Sequence, residues 1–162
     1  MEKILRAVNK RPALCRGLRL VSHFAGIFAF ILFAFVFMLA VISSPLSAVK
    51  LCAIIGLSYV AVSLARRFIN APRPYEVYDF YESPPKDKKG VSFPSRHTFL
   101  VFAIATVCMP ASAVPAIILL VLGVLLAVSR VLIGIHFIRD VVTGAMLGIL
   151  SSVLGLLILN PF

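Results

Sequence analysis

The chain has 162 residues, 61% of them apolar, and a mean hydropathy of +1.06. Soluble domains usually stay near roughly 45 to 50% apolar, so an ordinary soluble fold is excluded, and the length suits one compact helical domain over 1–162. The net charge of +10 is carried at the ends of apolar runs and in connections, which points to anionic head groups or phosphate rather than to nucleic acid.

Residues 1–20 interleave Lys3, Arg6, Lys10, Arg11, Arg16 and Arg19 with Ile4, Leu5, Val8, Leu14 and Leu18. This pattern predicts an interfacial amphipathic anchor, broken near Pro12. The apolar run at 22–43 is long and the chain stays hydrophobic after it, which predicts a retained first span rather than a cleaved leader. Ser43-Ser44-Pro45 turns the chain into a second span at 47–65. From Arg66 to Arg96 runs the one long polar connection, with Tyr75, Tyr78, Phe80 and Tyr81 suited to a head-group interface and Lys86-Asp87-Lys88-Lys89 read as a solvated run. A third span is expected from about Ser95 to Met109, a fourth from the Pro110–Pro115 turn to Leu132, and a fifth from Ile138 to Leu159. The expected fold is therefore all-α: a polytopic membrane helical bundle of about five spans. Cys15, Cys52 and Cys108 are odd in number and lack metal-ligand spacing, and Cys52 and Cys108 read as small core residues; no disulfide, metal or cofactor is expected.

Five spans gather three polar clusters at one membrane face. Arg66 belongs in the last turn of the second helix, where a cation suits the dipole, and Ala71-Pro72-Arg73-Pro74 presents Arg73 from extended backbone. With Arg130 they make an anion clamp, since the guanidinium fork matches phosphate oxygens. Pro94-Ser95 has the form of a helix start, placing free N–H groups beside His97 as a phosphate cradle that Ser95 and Arg96 can join. His136 and Asp140, four residues apart, share a face if the last helix begins there, so the carboxylate orients the imidazole. The chemistry this allows is attack on phosphorus by His136, protonation of the departing oxygen by His97, neutralisation of charge by the arginines, and hydrolysis of a phosphohistidine. His23 has no partner nearby in sequence and is assigned no role. Gly144 and Gly148 fit small-xxx-small packing, with a partner open between this chain and a second copy.

The ordered trio Arg66-x6-Arg73-Pro74, Pro94-Ser95-Arg96-His97 and Ser129-Arg130-x5-His136-x3-Asp140 resembles the three signature motifs of the type 2 phosphatidic acid phosphatase (PAP2) superfamily. The resemblance covers residues 66–140 at motif level. It implies a metal-independent membrane phosphatase with a helical bundle fold, acting on a lipid such as phosphatidate, phosphatidylglycerol phosphate or a polyprenyl diphosphate. Two positions depart from the family pattern: Arg66 stands where Lys is usual, and Arg96 where Gly is commonest, which bears on substrate choice.

The competing reading is a catalytically silent membrane protein that binds anionic lipid through the same arginines; a transporter or channel is disfavoured because the polar residues collect at one face. Of 16 Lys and Arg, only Lys50 falls at the opposite face, so the positive-inside rule predicts that the clusters face the cytoplasm, in the plasma membrane. Oligomeric state is not encoded in any of these features.

Overall fold

Pro12 and Pro45 each stand in the first turn of a long helix, where the missing N–H group has no helical partner to lose. The computed structural model describes residues 2–78 and 89–162. Its elements are α1 (Glu2–Asn9), α2 (Pro12–Ser43), α3 (Pro45–Ile69), α4 (Pro74–Val77), α5 (Arg96–Cys108), α6 (Ala113–Leu132) and α7 (Ile138–Leu159). The predicted anchor is thus shorter than expected. The break at Pro12 is real, but it begins a helix, and residues 12–20 are the first turns of the 32-residue α2. Phe80, Tyr81 and most of the run at Lys86–Lys89 lie outside the described residues.

Among the described residues four helices, α2, α3, α6 and α7, are long and apolar enough to cross a bilayer. The other predicted span, α5, has 13 residues, about 20 Å of helix against a hydrocarbon core of about 30 Å. Its place explains its length. Phe99, Val101, Ala103, Ala105 and Val107 are buried on it, and α2, α3, α6 and α7 all pack around it. The outer surface instead exposes Ile42, Leu57, Phe68 and Leu157, as lipid contact requires. Cys108 is buried as expected, whereas Cys52 is exposed on that outer surface.

The glycines of α7 decide how close α5 comes. A Cβ on Gly144 would lie 2.6 Å from the Ser95 carbonyl oxygen, and one on Gly148 would lie 2.5 Å from that of Phe99. Backbone therefore meets backbone, the small-residue packing open to membrane helices. Ser152 Oγ continues the stripe by donating to the Ala103 carbonyl at 3.1 Å. The partner of the Gly144–Gly148 pair is in this chain, and the contact sets the start of α5 beside the start of α7. At the opposite end of the bundle, Lys50 Nζ donates to the Asn160 carbonyl at 3.2 Å.

Candidate active site

The end of α6 fixes the first half of the site. Gly134, at φ 73, supplies the left-handed residue of a Schellman cap: its N–H reaches the Val131 carbonyl at 3.0 Å and the Ile135 N–H reaches that of Arg130 at 3.1 Å. The His136 N–H also meets the Arg130 carbonyl, at 3.2 Å. Arg130 and His136, six residues apart, are thereby brought together. The last helix begins at Ile138 as expected, so His136 precedes it, and Asp140 turns its carboxylate back to the helix start, Oδ2 accepting from the Phe137 N–H at 3.0 Å.

That same oxygen organises the imidazole. Asp140 Oδ2 lies 3.5 Å from His136 Nδ1, and the closer contacts run through a residue the motifs do not include. Ser92 Oγ donates to Asp140 Oδ2 at 2.5 Å and sits 3.2 Å from His136 Nδ1. A hydroxyl that has given its proton to a carboxylate offers only lone pairs to the ring, so Nδ1 carries the hydrogen and Nε2 the free lone pair. Ser92 and Asp140 are 0% exposed and His136 is 3% exposed. Burial pushes the His136 imidazole below its ordinary value, with Arg73 and Arg130 acting the same way and Asp140 opposing them.

Ser92 belongs to a strap, residues 90–94, laced to the end of α3. Asn70, the left-handed C-cap of α3, accepts the Val91 N–H at 3.2 Å, and the Ala71 carbonyl accepts that of Ser92 at 2.9 Å. Glu76 Oε1 takes the Gly90 N–H at 2.7 Å. Val91 is held at φ 47, a strained setting for a β-branched residue that the surrounding bonds over-determine. Arg66 is the chief fastener. Its guanidinium donates to the carbonyls of Val91, Ser92 and Pro94, the middle one at 3.1 Å. Expected as a phosphate ligand, it reaches the cavity wall with those donors already committed to backbone.

The strap, α2 and the ends of α5 and α6 border an open cavity of about 1020 Å³. His97, His136, Arg66, Arg73, Arg96 and Arg130 all line it, so six of the eight expected site residues converge. Arg73 is held there by a bond from Nε to the Gly90 carbonyl at 3.0 Å. Arg130 lines the cavity, and its Nε is buried without a hydrogen-bond partner among the described residues. Arg96 is exposed and approaches the Tyr59 hydroxyl at 3.5 Å. Asp140 stands behind His136. Ser95 occupies the N-cap position of α5, but its side chain makes no cap bond; its Oγ accepts from Thr98 Oγ1 at 3.0 Å, it is 0% exposed, and it is off the cavity wall.

The remaining wall was missed by the motifs. Arg19, Ser22, His23, Gly26, Ile27 and Phe30 of α2 line the same cavity, at spacings of three and four residues that place them on one helical face. The face is polar at its start and apolar after His23. Ser22 Oγ lies 2.5 Å from Ser129 Oγ of α6, which pins this face one residue from Arg130. Among the described residues, no three His, Cys, Asp or Glu side chains gather into a metal ligand set.

Comparison with known proteins bears on the family and the fold. The family model described as the PAP2 superfamily matches residues 47–161. Among solved structures, the chain is similar to Aquifex aeolicus LpxE, with a TM-score of 0.71 and 27% identity over 95% of this chain and 93% of that one. It also shares the fold of a transmembrane PAP2-type phosphatidylglycerolphosphate phosphatase from Bacillus subtilis, with a TM-score of 0.73 and 24% identity over 95% of this chain and 81% of that one. No curated protein matches it in sequence.

Proposed function

The chain belongs to the PAP2 superfamily, and on that premise we propose that it hydrolyses a phosphate monoester or diphosphate on a membrane lipid through a phosphohistidine intermediate. The observation that carries the reading is the cavity. Two histidines and four arginines of the motifs meet there, and the α2 wall runs from Arg19 through Gly26 to Phe30, about 16 Å along a helix axis. A lipid phosphate is an amphiphile with this grading, whereas a soluble phosphate ester has no use for the apolar end.

In this mechanism Arg73 and Arg130 hold the phosphoryl oxygens, and His136 Nε2 attacks phosphorus in line with the lipid oxygen. A P–N bond forms as the P–O bond breaks, and His97 delivers a proton to the departing oxygen. Positive charge developing on the His136 ring is met by Asp140 through Ser92. Water then attacks phosphorus, His97 takes its proton, the P–N bond breaks and inorganic phosphate leaves. Arg66 acts through the strap, positioning Ser92. We extend the proposal to orientation: the positive-inside rule favours a cytoplasmic setting for this face, in the plasma membrane. A single cysteine at Lys10, in a background lacking the native cysteines, then resists impermeant thiol reagents in intact cells; ready labelling reverses the orientation.

The test of function is phosphate release by detergent-purified protein, with EDTA present, from phosphatidate, phosphatidylglycerol phosphate and a polyprenyl diphosphate. Release that disappears in His136→Ala supports the reading. Release that survives in that variant removes the nucleophile, and no release from any of the three favours the silent lipid-binding alternative.

A further inference from the structure

Resting on the lipid phosphatase reading, we propose that Arg19 and His23 form a second anion subsite, so that the preferred substrate class carries a second phosphate-type oxyanion beside the scissile group. Neither residue belongs to the motifs, yet both line the cavity that holds His97 and His136. Their placement is fixed by the 2.5 Å contact between Ser22 and Ser129, since Ser22 adjoins His23 and lies three residues from Arg19 on the same face. Ser129 in turn adjoins Arg130, which lines the same cavity.

Charge counting within the cavity gives the substrate class. A monoester phosphate is served by Arg73 and Arg130 together with the two motif histidines. Arg19 and His23 add capacity on the α2 wall, Arg96 and Lys89 add more, and among the described residues no Asp or Glu lines the cavity. Cations gathered in one cavity repel, and a further anionic group relieves that repulsion. Guanidinium and imidazole are both matched to phosphate-type oxygens. A diphosphate, or a phosphate with an adjoining phosphodiester, has the second group within reach; the apolar chain then follows Gly26, Ile27 and Phe30. A bilayer-anchoring role for Arg19 predicts no such selectivity.

The test compares the full-length protein with Arg19→Gln, His23→Gln and the double variant. Calorimetry with inorganic pyrophosphate and inorganic phosphate reads binding, and turnover of farnesyl diphosphate against farnesyl phosphate reads the same difference on one chain. We expect the wild type to prefer both doubly anionic probes, and the double variant to lose about tenfold for these while changing less than about twofold for the single phosphates. Equal loss for both probe classes, or no preference in the wild type, overturns the subsite. If neither lipid is hydrolysed while the pyrophosphate preference persists and depends on Arg19, catalysis falls and the subsite stands.

Discussion

Ser92 Oγ lies 2.5 Å from Asp140 Oδ2 and 3.2 Å from His136 Nδ1, nearer to each than the 3.5 Å between imidazole and carboxylate. The hydroxyl is therefore the link through which the acid sets the ring's tautomer. Ser92→Ala removes a buried bond to a charged group, worth about 1.5 to 3 kcal/mol, so kcat falls roughly 10- to 100-fold. Nitrogen-15 spectra of the ring separate this from simple misfolding: the wild type holds hydrogen on Nδ1, and the variant becomes a tautomer mixture. An unchanged tautomer with full activity would remove Ser92 from the account.

Burial and the neighbouring Arg73 and Arg130 hold the His136 imidazole below its ordinary value, and the attacking form is the neutral one. A lowered value extends that form toward acid, so nitrogen-15 titration of His136 in the substrate-free protein gives a midpoint below about 6.5. Asp140 opposes the shift, and Asp140→Asn moves the midpoint lower still. A midpoint at or above 6.5 contradicts the electrostatics described.

The α5–α7 contact leaves no room for side chains at Gly144. A Cβ there meets the Ser95 carbonyl oxygen at 2.6 Å, backbone that moves only if the start of α5 moves. Gly144→Ala destabilises the protein by about 1 to 3 kcal/mol and displaces His97, so thermal melting in detergent and activity drop together. Full activity at an unchanged melting temperature would show that the helices separate without consequence.

Gly26 is the converse case, because a Cβ there meets nothing within 4 Å although the residue lines the cavity. Gly26→Leu keeps or raises the melting temperature, since a mid-helix glycine costs about 0.5 to 1 kcal/mol relative to alanine. It displaces about two methylenes of a bound chain at ~0.8 kcal/mol each, raising KM roughly tenfold for long-chain substrates. Short-chain substrates are spared. A uniform effect across chain lengths would place the chain elsewhere.

The sequence made the helical bundle and the motif residues legible because they rest on local signals: apolar run lengths, proline positions and the chemistry of Arg, His and Asp in chain order. Contacts that depend on backbone from distant segments were not legible. Arg66 looked like any phosphate ligand until the strap carbonyls met it, and the Gly144–Gly148 stripe named a packing mode without naming α5. Ser92 carried a weak signal, a small polar residue just before Pro94. The α2 wall carried a stronger one, since Arg19, Ser22 and His23 fall on one helical face with Gly26 and Phe30, but residues 12–20 were read as an interfacial anchor and that face was divided between two elements.

The phosphoryl-enzyme itself offers the most direct measurement. Protein mixed with a radiolabelled lipid phosphate and quenched in alkali, where phosphohistidine survives, is digested and its labelled peptide identified. We predict label on the peptide containing His136, absent in His136→Ala and accumulating in His97→Ala when the departing group needs no proton. Turnover without label in any variant, or label on a peptide lacking His136, would contradict the mechanism at its first step.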